Sequence, residues 1–163
     1  MRKSAEAFAC IAGVRLAEGM RGFLVSPEVS REWLAELETA QTADPWTFGF
    51  AVVHVQDQVA IGMGGYKGAP GPDGVVEIAY GIVPAHEGKG YATELAQALV
   101  SYAFDTDGVT MVRAHTLPEP NASTRVLEKC GFTQIGEVVD PEDGPVWRWE
   151  LAKSQAGSIG IAP

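Results

Sequence analysis

From Val75 the chain reads Val75-Val76-Glu77-Ile78-Ala79-Tyr80-Gly81-Ile82-Val83, a β-forming run that reaches Pro84. A short turn follows, His86-Glu87-Gly88-Lys89-Gly90, and then Tyr91-Ala92-Thr93-Glu94-Leu95 opens a helical pattern. A strand delivered to a helix through paired glycines leaves the first helical N–H groups without partners, and the helix dipole adds partial positive charge at the same place. The chemistry this suits is the holding of an anion, such as the phosphates of a nucleotide-like ligand. The competing reading is a helix start whose glycines serve only close packing. Lys89, Arg113, Arg125 and Lys129 all fall in the second half of the chain, where an anionic ligand would need them. His54, His86 and His115, and the two cysteines Cys10 and Cys130, are not spaced as metal ligands, so no metal is expected.

Two familiar phosphate loops fail on spacing. A P-loop needs Gly, four residues, then Gly-Lys-Ser/Thr; here Gly88-Lys89 is followed by Gly90, and Val83 stands where the first glycine belongs. A dinucleotide fingerprint needs small residues at 88, 90 and 93 and an acid about 20 residues on. Position 93 is Thr93, and the next strand ends in Thr116-Leu117 without a carboxylate.

Glu87-Gly88-Lys89-Gly90-Tyr91-Ala92 resembles the pyrophosphate loop of the GNAT acetyltransferases, Gln/Arg-x-x-Gly-x-Gly/Ala, in its last three defining positions. It departs at the first, where Glu87 replaces Gln or Arg. An ionised glutamate cannot donate a hydrogen bond and would repel a phosphate, so Glu87 is expected to face solvent. A second segment, Thr116 through Asn121-Ala122-Ser123 to Leu127-Glu128-Lys129-Cys130-Gly131-Phe132, resembles the Asn-x-x-Ser…Leu-Glu-Lys-x-Gly-Phe stretch of the GNAT branch that holds the ribosomal-protein N-terminal acetyltransferases. Asn121 stands two residues before Ser123, where that branch commonly has three. The resemblance extends from about Trp46 to Leu151 and is poor over the first 40 residues.

The resemblance implies transfer of an acetyl group from acetyl-CoA to a primary amine, by direct attack in a ternary complex. The amine would belong to a protein N-terminus or a small molecule. It implies that the pantetheine arm lies against backbone groups of Ile82 and Val83. The pyrophosphate would sit on the amides of Gly88, Gly90, Tyr91 and Ala92, with Glu87, Lys89 and Thr93 in the same loop and first helical turn. Asn121 would cap the next helix and touch the cofactor. Attack needs a neutral amine, a stabilised oxyanion and a departing thiolate. An α-amine titrates near ~8 and a lysine near ~10.4, so a base is required. Glu77 is the expected base, directly or through water, and a backbone amide near Val83 the expected oxyanion donor. Many GNAT enzymes place a tyrosine acid where this chain has Leu127-Glu128, so Ser123 is the candidate to hydrogen-bond the departing sulfur. A chain that binds coenzyme A as a sensor or interaction module, without turnover, is the alternative.

Positioning these residues requires a set of elements that the patterning outlines. Ser26-Pro27-Glu28 starts a helix with Val29, Trp33, Leu37 and Ala40 on one face. The alternation Trp46, Phe48, Phe50, Val52 predicts a strand over residues 46–55, and 59–66 its hairpin partner, whose glycines suggest a bulge or close backbone approach. Strands follow from Val75, over 111–117, 132–139 and 146–151, with helices over about 91–104 and from an Asn121 cap to Lys129. The fold class is mixed α/β (α+β): a central, mostly antiparallel twisted sheet of about six to seven strands with a splayed central pair, flanked by helices. One acyltransferase domain is expected over 1–153, with a frayed tail over 154–163.

Composition narrows the classes. A hydrophobic content of 46% with 20% charged residues in 163 fits a globular domain with its own core. The net charge of -9 argues against nucleic acid and mildly favours a cationic partner. No apolar run approaches a membrane span, and Glu6 interrupts the short apolar start, so no signal peptide and a cytoplasmic location are expected. Homodimerisation is common among GNAT proteins and is left open by the sequence.

Overall fold

A computed structural model of the chain describes residues 9, 13–26, 31–42, 44–141 and 143–157. The expected helix start at Ser26-Pro27-Glu28, apart from Ser26 itself, lies outside the described residues, as do Cys10 and the end of the tail. The chain divides into two compact units, Met1–Tyr66 with Tyr80–Tyr91, and Lys67–Ala79 with Ala92–Pro163.

In the first unit, β1 (Arg15–Leu16) pairs parallel with β3 (Val59–Tyr66), and β2 (Phe50–His54) pairs with β3 as an antiparallel hairpin. The short helices α1 (Met20–Phe23) and α3 (Pro45–Phe48) flank α2 (Arg31–Thr39) in sequence. Met20, Leu24, Leu37, Ala60, Ile61 and Val83 form its core, with Trp33, Phe48, Met63 and Tyr91 packed on it. The strand expected from Trp46 is corrected here, because Pro45–Phe48 is a helical turn and β2 begins only at Phe50. Asp44 accepts from the amides of Trp46 and Thr47 and from the Thr47 hydroxyl, and Pro45 occupies the first turn. Cap and proline together outweigh the alternating pattern. The same bonds, the Thr47 hydroxyl first, hold the Asp44 carboxyl below its ordinary value against the effect of burial.

The strand glycines serve close approach, as expected. A Cβ on Gly65 would lie 2.7 Å from the Cα of Gly49. Gly65→Ala is therefore expected to destabilise the fold by about 1–3 kcal/mol, a fall in melting temperature of roughly 2–12 °C. An unchanged thermal melt would show that the backbone at Gly49 yields freely.

In the second unit, β4 (Val75–Ile82) begins parallel to β5 (Met111–Thr116). β5 pairs antiparallel with β7 (Gly144–Ala152), and β7 with β6 (Thr133–Asp140). Helix α4 (Tyr91–Asp105) buries Leu95, Ala96, Leu99, Val100, Ala103 and Phe104, and α5 (Ala122–Lys129) buries Thr124 and Leu127. Trp149 Nε1 donates to Thr116 Oγ1 at 3.0 Å within this core. Thr116→Val keeps the shape but strands the indole N–H, so a loss of about 1–3 kcal/mol in urea unfolding is expected. No loss would mean the indole finds another acceptor. Lys153–Ala156 form a last short helix, α6.

The seven strands run in the order β1-β3-β4-β5-β7-β6, with β2 against β3, in one mixed sheet as expected. The pairing of β4 with β5 runs from Val75↔Met111 to Ile78↔Ala114, whereas β4 continues to Ile82 and β5 to Thr116. Among the described residues no helix is long and apolar enough to cross a membrane.

Candidate active site

The end of β4 runs into a 3₁₀ turn at Pro84–His86. His86 N–H donates to Val83 C=O at 2.9 Å, and Glu87 N–H to Pro84 C=O at 3.2 Å. Gly88 and Gly90 then adopt φ of +72° and +90°. No heavy atom lies within 4 Å of where a Cβ on either would sit. Close packing therefore does not explain these glycines. They supply a left-handed backbone in an open turn, where an L side chain is strained. Helix α4 starts at once, and the amides of its first turn, Tyr91 to Glu94, have no acceptor within the helix. Glu87 is exposed, as expected. Lys89 donates from Nζ to Ala85 C=O at 3.2 Å, which keeps its charge on the turn.

His86 is half-buried in the turn. Its ring lies 5.7 Å from that of His54 and 6.4 Å from that of Tyr91, and His54 and Tyr91 lie 5.7 Å apart. His54 stands on β2, so only the folding of the hairpin brings it to the turn. No local pattern could have signalled this.

Backbone parity on β4 decides which residues can meet a ligand. Val83 N–H donates to Ile61 C=O at 2.8 Å, and Lys67 N–H to Glu77 C=O at 2.9 Å. Residue 83 thus faces β3. Alternation along a strand turns Ile82 N–H and C=O to the opposite edge. Val83 N–H is thus bonded to Ile61, and its carbonyl accepts from His86 with a second lone pair remaining.

In the second unit, Glu77 stands early on β4 with its side chain 20% exposed. Its Oε1 lies 3.0 Å from Lys67 Nζ and 3.0 Å from His115 Nδ1. Asp143 lies 4.0 Å from the same ammonium. Burial works to lower the pKa of Lys67, but the Glu77 carboxylate, with Asp140 and Asp143, outweighs it and raises the value. Arg113, directly across from Glu150 on β7, donates from Nε and Nη2 to Glu150 Oε1 at 3.0 and 2.7 Å, so it is an ion-pair residue of the sheet. Arg125 and Lys129 are exposed on α5.

Asn121 caps α5 as expected. Its side chain accepts from Thr124 N–H at 3.0 Å and donates from Nδ2 to Glu119 C=O at 3.1 Å, while its own N–H donates to Thr124 Oγ1. Thr124, not Ser123, completes the capping box, which the sequence reading missed although the Asn-x-x-Thr spacing carries it. Ser123 is half-buried in the first turn of α5. Ala92 and Thr93 lie in the first turn of α4, and Thr93 C=O faces Cys130 Sγ at 3.8 Å. Burial pushes the Cys130 thiol up to about 11. Cys130 is therefore expected to resist alkylation at pH 8 until the chain is unfolded, as peptide mass mapping would read. Equal labelling of native and unfolded protein would show that the end of α5 opens.

An acetyltransferase (GNAT) domain profile matches residues 5–133. The chain belongs to the GNAT acetyltransferase family. An uncharacterized N-acetyltransferase of Bacillus subtilis, YjdG, is 29% identical over 102 residues, 63% of this GNAT chain and 58% of YjdG. The aminoglycoside N(6')-acetyltransferase type 1 of Klebsiella pneumoniae is 30% identical over 123 residues, 72% of this chain and 61% of that one. Among solved structures, aminoglycoside acetyltransferase AAC(6')-Ib in complex with coenzyme A has a TM-score of 0.57 at 26% identity, covering 65% of this chain and 66% of that one. The spermidine/spermine N-acetyltransferase SpeG of Vibrio cholerae, at TM-score 0.58 and 23% identity over 68% and 69% of the two chains, shares the fold. The match to YjdG spans little more than half of that relative, and the match to the p20 N-acetyltransferase of Bacillus licheniformis spans 52% of its length. These relatives place the chain in the GNAT family at large. The likeness to the ribosomal-protein branch rests on the 116–132 segment.

Proposed function

We propose that this GNAT chain transfers an acetyl group from acetyl-CoA to a primary amine, within one acyltransferase domain over residues 1–153. The observation that carries the reading is the open glycine turn at the start of α4, with positive φ at Gly88 and Gly90 and nothing packed against either. That cradle fits a pyrophosphate: the amides of Gly88, Gly90, Tyr91 and Ala92 would hold it, with Thr93 in the same turn and Lys89 adding charge. The exposed Glu87 turns outward. Ile82 offers the backbone groups for the pantetheine arm. Asn121 acts there through the cap it builds, since its side-chain oxygen is held by Thr124.

Acetyl-CoA, when bound, supplies the acyl group as an activated thioester. Glu77 takes the proton that the amine sheds as its nitrogen bonds to the acyl carbon. Ser123 donates a hydrogen bond to the sulfur, which leaves with the electron pair of the broken C–S bond. Among the described residues no group of three or more His, Cys, Asp and Glu could hold a metal ion. The likeness to the ribosomal-protein branch favours a protein N-terminus as acceptor. The aminoglycoside and spermidine acetyltransferases among the relatives favour a small polyamine, as does the net charge of -9. The reading places the enzyme in the cytoplasm, as a monomer or homodimer.

Calorimetric titration with acetyl-CoA, followed by thiol release with a peptide bearing a free N-terminus, spermidine and kanamycin, tests the proposal. No binding at millimolar acetyl-CoA would overturn it. A second reading, a coenzyme A-binding module without turnover, is favoured by the absence of a tyrosine at Leu127-Glu128. Binding with no thiol release would support that second reading.

A further inference from the structure

The polar groups around Glu77 locate a proton. His115 and Arg148 are directly paired on β5 and β7, and Arg148 Nε lies 3.5 Å from His115 Nε2. A guanidinium can only donate, so Nε2 presents its lone pair to it. The ring proton is then on Nδ1, which donates to Glu77 Oε1 across 3.0 Å. Lys67 also has no lone pair to offer while charged, and it donates to the same oxygen at 3.0 Å. Both donors fall on Oε1. Among the described residues none bonds to Oε2.

The sheet backbone, not a loop, sets this arrangement. Glu77 lies on β4 and His115 on β5, next to the paired stretch that ends at Ile78↔Ala114. The Lys67 amide is bonded to the Glu77 carbonyl, which ties the two residues together through the main chain as well. The His115 side chain is only 10% exposed, so little water competes for its bond to Glu77. A carboxylate held by one oxygen cannot rotate without breaking both bonds. Side chains locked in this way by sheet neighbours hold a reacting group more exactly than loop residues do.

We infer that His115, Arg148 and Lys67 are positioning residues that anchor Glu77 by Oε1 and leave Oε2 as the oxygen that takes the proton of the acceptor amine. This rests on the proposed acetyl transfer with Glu77 as base. The balance is simple: the amine lone pair forms the new N–C bond, its proton passes to Oε2, and the thioester sulfur leaves with the C–S pair. Arg148 acts at one remove, by fixing which ring nitrogen carries the hydrogen.

The test compares His115→Ala, His115→Asn and Glu77→Gln in the full chain. Asparagine places an N–H close to the position of Nδ1, whereas alanine removes the donor. Thiol release from acetyl-CoA is followed with spermidine, kanamycin and a peptide with a free N-terminus. His115→Ala is expected to lower kcat by about 10–100-fold with the affinity for coenzyme A unchanged within about 2-fold, and His115→Asn to restore most of the loss. If Glu77→Gln is inactive while His115→Ala turns over as the wild type does, the positioning role is overturned and the base assignment stands. If Glu77→Gln keeps full turnover, the base assignment falls and this inference with it. Equal failure of the alanine and asparagine variants, with melting temperature and coenzyme A affinity both reduced, would show a structural role only and overturn the inference. Absence of wild-type turnover with all three amines would overturn the acetyl-transfer reading and the role built on it. A readout independent of turnover is the long-range proton–nitrogen correlation spectrum of the histidine rings. The signal lost in His115→Asn is expected to show a protonated Nδ1 and a bare Nε2; the opposite tautomer would overturn the arrangement.

Discussion

Glu77→Gln is expected to lower acetyl transfer by about 10²–10⁴-fold while coenzyme A binds as before, because general-base catalysis by a placed side chain contributes on that scale. The substitution keeps the shape, and its amide oxygen can still accept from His115 Nδ1 and Lys67 Nζ, which both reach Oε1 at 3.0 Å in the native chain. Lys67 is not stranded by the loss of charge, since Asp143 stays within 4.0 Å and the ammonium is partly solvated. The melting temperature should therefore stay close to the wild type, which separates lost chemistry from lost structure. Thiol release at saturating amine measures the effect. Wild-type turnover in the glutamine variant would show that water or another group takes the proton.

Replacing Gly88 and Gly90 together by alanine is expected to weaken coenzyme A binding by at least about 10-fold. Each alanine placed at positive φ costs roughly 1–2 kcal/mol, and about 1.4 kcal/mol corresponds to a tenfold change in affinity. Neither new methyl group meets a heavy atom within 4 Å, so sterics leave the fold alone. The exposed turn can relieve the strain by changing shape locally, and the amides then no longer converge on one anion. Calorimetry with coenzyme A measures the loss, and a thermal melt checks that the domain persists. Unchanged affinity would place the pyrophosphate elsewhere and remove the observation on which the functional proposal stands.

Much of the architecture was legible in the sequence where a local rule governed. Asn121 capped its helix because a short polar side chain placed before an apolar run has few better partners than the helix amides. The β2–β3 hairpin followed from alternation and from the turn at Gln56-Asp57-Gln58. Where two local rules competed, the reading failed. Trp46 and Phe48 alternate as a strand does, yet Asp44-Pro45 starts a helical turn, and cap geometry overrode the pattern. The glycines of β3 announced a close approach, but not that the approaching backbone was Gly49.

The site divides in the same way. The glycine turn and its place before a helix are properties of a few consecutive residues, so their spacing alone excluded two other phosphate loops, and the resemblance to the GNAT loop implied acetyl-CoA. Glu77 stood out as the acid on the central strand. Its partners did not, because His115 and Arg148 lie on different strands and Lys67 in the bend after β3, and sequence distance carries no information about cross-strand register. That the Val83 amide bonds to Ile61 and its carbonyl accepts from His86 is likewise a property of the folded chain. The sequence by itself determined most of the elements, the glycine turn before a helix and the family, since each depends on local spacing or on two motifs in order. Only the tertiary structure decided which backbone groups stay open and which oxygen of Glu77 is held, because hydrogen-bond parity and side-chain convergence exist only once the strands have paired.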